Sequence, residues 1–158
     1  MSHNPTDARV AGLQRSGGGV PKLPIAHALV SLDGVAGDWQ FDRKHHGGRD
    51  RALCLYSADL IDALASEGHP ISPGAMGENV TIRAMDWSVI CPGTRLLMGS
   101  VEAEVTAYAA PCNTIAAAFC EGKFTRVSQK VHPGWSRVYA RVLQAGGISL
   151  EDEVRVIG

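Results

Sequence analysis

Apolar residues recur at two spacings along this chain, every second position in several short runs and every third or fourth position in one, and the first kind dominates. Val101, Ala103, Val105 and Ala107 alternate with Glu102, Glu104 and Thr106, which predicts a strand with one solvated face over Val101 to Tyr108. Further strands are predicted at Ala8 to Leu13, Ile25 to Leu32, Ala52 to Tyr56, Glu78 to Ile82, Arg95 to Met98, Val138 to Gln144 and Glu153 to Ile157. The helical spacing occurs at Leu60, Ile61 and Leu64. Ser57 precedes them as a natural N-cap, Asp59 complements the helix dipole in the first turn, and Gly68 stops the helix. A second short helix is expected over the Ala-rich Asn113 to Phe119, and Lys123 to Pro133 reads as irregular or weakly helical. Gly- and Pro-rich loops are predicted at Arg15 to Pro24 and Pro70 to Gly77, with tight turns at Asp33-Gly34 and Gly99-Ser100. Short strands punctuated by turns predict a barrel or a sandwich.

The length of 158 residues suits one domain over 1–158, with residues 1–8 expected as a flexible N-terminal tail. Fifteen Lys and Arg against sixteen Asp and Glu give a net charge of -1, so no global field gathers nucleic acid or an anionic membrane. Any anion site must be local. No apolar export segment opens the chain and no run approaches the ~20 residues of a membrane span, so a soluble, cytoplasmic protein is expected. The four cysteines, Cys54, Cys91, Cys112 and Cys120, contain no Cys-x-x-Cys pair, and reduced thiols are expected. Cys54, Cys91 and Cys120 read as small buried apolar side chains.

Candidate chemistry gathers in His45-His46-Gly47-Gly48-Arg49-Asp50-Arg51. Two imidazoles can donate, accept or coordinate, two glycines can turn consecutive N–H groups toward an anion, and Arg51 adds a positive fork. Adjacent side chains on an extended strand point to opposite faces, so His46 is assigned to the site and His45 left to packing or support. A solvated Gly-rich turn is the alternative. Lys22 is either a solvated loop charge or an anion contact, and Glu78 and Asn79 either cap a turn or face a ligand. Cys112, just before the Ala-rich helix, would sit at a positive dipole end that favours thiolate.

Gly37-Asp38, His46-Gly47-Gly48-Arg49-Asp50-Arg51-Ala52, Gly77-Glu78-Asn79-Val80-Thr81, Pro111-Cys112 and Arg137 to Leu143 follow one another in an order and spacing that resembles the MOSC domain family, named for the C-terminal domain of molybdenum-cofactor sulfurases. Ser16 to Lys22 extends the likeness toward the N-terminus. Arg49 stands where the family often has Pro, and Glu151-Asp152 where it often has Gly-Asp.

The resemblance implies a mainly β fold, a closed or nearly closed barrel with a few short helices, that binds the pyranopterin dithiolene of the molybdenum cofactor. It implies that Cys112 ligates molybdenum or carries sulfur, and that Lys22, His46, Gly47, Gly48, Asp50, Arg51, Glu78, Asn79, Arg137 and Arg141 surround the cofactor, with Lys22 and Arg51 on its phosphate. Reduction of N-hydroxylated bases or related small molecules is the implied activity. Electrons would come from a partner reductase, because the chain has neither a dinucleotide fingerprint nor cluster cysteines, which leaves it without a flavin or iron–sulfur site of its own. Two alternatives keep the fold: a persulfide carrier supplied by a cysteine desulfurase, with pyridoxal phosphate only in that partner, and a cofactor-binding or storage module without turnover.

Overall fold

The computed structural model describes residues 7–38 and 48–157. Eleven strands among these residues make two sheets. They are β1 (Arg9–Arg15), β2 (Leu23–Pro24), β3 (His27–Ser31), β4 (Gly34–Val35), β5 (Leu53–Ser57), β6 (Val80–Arg83), β7 (Arg95–Met98), β8 (Val101–Tyr108), β9 (Val138–Gln144), β10 (Gly146–Ser149) and β11 (Val154–Ile157). The larger sheet runs β11-β7-β8-β9-β5-β6-β1-β2, and β10-β3-β4 form the smaller one. β1 at one side of the large sheet meets the lead-in to β11 at the other through an Arg9–Glu153 bridge, with Val154 N–H donating to Ala8 O and Val10 N–H to Asp152 O. The barrel is thus nearly closed, by a few hydrogen bonds in place of a full ladder.

Its interior is filled by the apolar half of each alternating strand. Leu53 and Leu55 on β5 face Ala140 and Val138 on β9, and Val101, Ala103 and Val105 continue the layer from β8, all buried. Ala8, placed in the expected tail, is buried, and its carbonyl takes the Val154 N–H. Within the expected loop Arg15 to Pro24, Leu23 and Pro24 pair with β1, and the strand itself runs on to Arg15.

β5 and β6 are parallel, which requires a crossover, and α1 (Ala58–Ser66) supplies it. Ser57 Oγ accepts from Leu60 N–H at 3.1 Å. At the far end His69 N–H reaches Leu64 O and Gly68 N–H reaches Ala65 O, a Schellman motif that needs the positive φ of 100° at Gly68. Ser57→Ala is expected to cost about 1 kcal/mol, a fall of roughly 2–4 °C in melting temperature for a chain of this size. A differential scanning calorimetry trace that does not move would show that the cap contributes nothing.

Asn113–Ala118 is a 3-10 helix, not the α-helix its alanines favour, and Cys112 stands at its N-cap with φ -149°. Further 3-10 turns at Cys120–Gly122 and Phe124–Val127 follow. Arg126 holds Glu67 through two bonds of 2.9 and 2.8 Å and lies over the Trp135 ring, which fastens this segment to the end of α1.

Candidate functional site

The β5–β9 pairing sets Cys54 opposite Tyr139, on the face of the wall turned away from Leu53 and Leu55. Cys54, Ala109 and Tyr139 make a small apolar cluster of their own there. Around it the chain brings several of the sequence-predicted residues together. Arg51, in the 3-10 turn Arg49–Arg51, lays its guanidinium 4.9 Å from the centre of the Tyr139 ring. Arg51 has no ion-pair partner among the described residues. Cys112 is partly exposed, donates to Thr114 Oγ1 at 3.2 Å, and acts electrostatically on the Tyr139 hydroxyl together with Cys54, Arg137 and Arg51. Burial raises the proton affinity of that hydroxyl, so Tyr139 stays neutral.

Arg137 is placed beside this cluster by hydrogen bonds to three successive carbonyls, those of Trp135, Ser136 and Arg137 itself. Tyr56 Oη donates to Trp135 O at 2.8 Å, Trp87 Nε1 donates to Ser136 O at 2.7 Å, and the Arg137 carbonyl accepts from Ala109 N–H at 2.9 Å. The side chain is buried. One amino group donates to Met76 O at 2.9 Å and the other to Ala110 O at 3.5 Å, while Nε has no partner among the described residues.

A second, deeper group lies behind β5. Asp38 accepts from Lys22 Nζ at 2.6 Å, from Asn79 Nδ2 at 3.0 Å and from Ser16 N–H at 2.9 Å. Asn79 closes the circuit onto β5, its Oδ1 taking the Cys54 N–H at 3.0 Å and its own N–H reaching Cys54 O at 2.7 Å. Lys22 is buried here, with only 4% of its side chain exposed, so it is neither a solvated charge nor a free cation. Its charge is compensated by Asp38, and a phosphate would compete with that carboxylate. The loop can bury it because Gly74 lets two backbones touch: Lys22 N–H donates to Gly74 O at 2.9 Å, and a side chain at Gly74 would start 2.2 Å from Lys22 O.

Glu78 is fully buried and neither carboxylate oxygen has a hydrogen-bond partner among the described residues. Desolvation raises its pKa from the ordinary 4.5 to about 7. Backbone N–H groups of Glu78, Gly74 and Met76, and the Arg137 charge, pull the other way. None of those N–H groups meets hydrogen-bond geometry at the oxygens, so burial prevails. A carboxyl whose folded pKa is raised is neutral in both states below pH 4.5. Between there and pH 7 only the unfolded chain releases the proton, so stability falls as pH rises, and the loss is complete above pH 7. Glu78→Gln is therefore expected to gain on the wild type by about 3 kcal/mol across that window. Parallel urea midpoints for the two proteins from pH 4.5 to 8 would refute the assignment.

Other candidates stand apart. Arg141 is half-exposed and lies 3.2 Å from Glu104 and 3.7 Å from Asp50, pinning the Arg49–Arg51 turn to the wall with help from the Thr106 hydroxyl, which donates to Asp50 O. Gly48, with φ 91°, is exposed at the head of that turn, and Arg49 pairs with Asp33 in solvent. His45, His46 and Gly47 lie outside the described residues. Cys91 and Cys120 are exposed, contrary to expectation, because turns place them at the surface, where Cys120 Sγ donates to Gly68 O at 2.8 Å. Cys54 is buried as expected, and burial keeps its thiol protonated. Asp38 and Tyr139 were not among the predicted site residues. Both belong to motifs quoted above, Gly37-Asp38 and Arg137 to Leu143, which is where the signal lay.

Among the described residues no group of three or more His, Cys, Asp or Glu converges on a common point. A soft metal on this face would find one accessible thiol, Cys112, and the arginines Arg51 and Arg137 for anionic groups around it. That donor set fits a metal that brings its own sulfur ligands.

Known proteins resemble the chain in sequence and in fold. It is 29% identical to the uncharacterized protein YflK of Bacillus subtilis (strain 168) over 133 residues, covering 83% of this chain and spanning 59% of the length of that relative. The crystal structure of YiiM from Geobacillus stearothermophilus superposes with a TM-score of 0.71 at 22% identity, over 96% of this chain and 75% of that one. YuaD from Bacillus subtilis gives 0.72 at 19% identity, over 94% of each chain. At such identities these structures carry the fold alone. The MOSC domain profile matches residues 42–155, from before the Gly48 turn to β11, and the chain belongs to the MOSC domain family.

Proposed function

We propose that this protein binds the molybdenum cofactor against the Arg51–Tyr139–Cys112 face and reduces N-hydroxylated bases or related compounds, with electrons supplied by a partner reductase. The observation that carries the reading is a single accessible thiol, Cys112, on the same cluster as Arg51, Arg137 and Tyr139. MOSC domains are associated in general with molybdenum-cofactor binding. The bound cofactor would supply oxygen-atom transfer. Cys112 would offer the metal one thiolate. Arg51, unpaired among the described residues, and the free Nε of Arg137 would meet anionic groups, while the neutral Tyr139 ring carries the Arg51 guanidinium. Lys22, held by Asp38, would support the wall and leave the phosphate to Arg51.

The test is purification from a cofactor-competent host, with molybdenum measured by mass spectrometry and pterin by fluorescence after oxidation. Near-equimolar metal and pterin, and reduction of an amidoxime with a chemical electron donor but not with NADH alone, are expected. Protein that retains neither metal nor pterin overturns the reading, and turnover with NADH alone overturns the requirement for a partner.

A further inference from the structure

Two buried polar groups of the inner cluster are left incomplete by the fold: both oxygens of Glu78 and Nε of Arg137 have no partner among the described residues. Arg137 also ties two loops together, through a 2.9 Å bond to Met76 O and a longer 3.5 Å bond to Ala110 O, two residues before Cys112. We propose that Glu78 and Arg137 form a proton-controlled tie that positions the Ala110–Cys112 segment: while Glu78 keeps its proton Arg137 holds Ala110, and when the proton leaves, the carboxylate draws the guanidinium off Ala110 and loosens the segment that carries the Cys112 thiol.

A buried carboxylate without hydrogen bonds is costly, and the nearest compensating charge is the one to which it will turn. Among the described residues the positive charge that acts on Glu78 is that of Arg137. Cys54 and Tyr56 on β5 also act electrostatically with Glu78, and burial holds both of these neutral. Lys22, which acts on Cys54, is compensated by Asp38. On the Met76 side the backbone N–H groups of Gly74, Met76 and Glu78 itself act on the carboxyl. Of the bonds Arg137 makes to Met76 O and Ala110 O, the one to Ala110 is the longer and yields first. The proton affinity of Glu78, with its pKa at about 7, places the change near neutrality.

The inference rests on the proposed function only in taking Cys112 as the working thiol, so it is tested on protein made in a cofactor-deficient host, where a failure of cofactor binding cannot affect the result. Alkylation of Cys112 by iodoacetamide, resolved from the other cysteines by peptide mass spectrometry, is followed from about pH 6 to pH 8.5 in wild type, Glu78→Gln, Glu78→Asp and Arg137→Lys. Wild type and Glu78→Gln should react alike at the acid end, and wild type about threefold faster at the alkaline end, the effect of one lost hydrogen bond. Glu78→Asp, which keeps the acid, should retain a step. Arg137→Lys, which cannot span both carbonyls, should react fast at every pH with no step, and it decides the matter should Glu78→Gln fail to fold. A wild-type to Glu78→Gln ratio that stays constant with pH, or a step that survives in Arg137→Lys, overturns the proposal.

Discussion

Cys112→Ser is expected to leave the denaturation midpoint unchanged and to reduce amidoxime turnover at least about a hundredfold, since replacing even a group that only supports a metal ligand costs 10–100-fold. The fold should survive because Cys112 is partly exposed and the side-chain hydrogen bond it makes among the described residues, to the Thr114 hydroxyl, is one a serine can also make. Molybdenum content should fall with activity if the thiolate holds the metal. If Cys112 carries sulfur instead, the wild type should acquire a cyanide-labile persulfide from a cysteine desulfurase and should contain no molybdenum. Full reductase activity in the serine variant, from a wild type that takes up no persulfide, contradicts both readings.

Asp38→Ala should destabilise the protein by about 3–5 kcal/mol, because it strands a buried ammonium. Three donors converge on that carboxylate, and with it gone Lys22 keeps no counter-charge among the described residues, while the Asn79 side chain keeps its contacts to Cys54 N–H and Gln14 O. The melting temperature should drop by roughly 10 °C. Removing both charges in Lys22→Met/Asp38→Leu should recover most of that loss, since an apolar pair can replace a buried ion pair at little cost. A single variant within about 1 kcal/mol of wild type in a urea titration would mean that Lys22 finds another partner or reaches water.

The elements that the sequence made legible are those whose residues decide locally. Val101 to Tyr108 alternates cleanly, and it is β8. Ser57 caps α1 as its type and position predict. β10 was not predicted, because the adjacent glycines Gly146 and Gly147 carry no strand signal. It forms a strand through its ladder with β3, and the glycines are needed because a side chain at Gly146 would start 2.3 Å from Ser100 Oγ, and one at Gly147 2.8 Å from the His27 ring. The site divides in the same way. Glu78 and Asn79 stood out as polar residues at the start of a strand, but their complete burial depends on loops from elsewhere in the chain. Lys22 was expected on the cofactor phosphate, and its ion pair with Asp38 was not legible because the two become neighbours only in the folded protein. Cys54 was concealed inside an apolar run, and only the register with β9 shows that it shares a face with Tyr139.

The parallel pairing of β5 with β6 through α1 bears on how the protein comes together. Glu78, Asn79 and Cys54 arrive within one strand–helix–strand unit, whose contacts are short in sequence and therefore quick to form. Lys22, Asp38 and Arg137 reach them only after distant parts of the chain close, at a greater loop-closure cost. In the interval Glu78 lacks the burial that raises its proton affinity, so near neutral pH it stays ionised and solvated. Its entry into the interior is then a late step that takes up a proton.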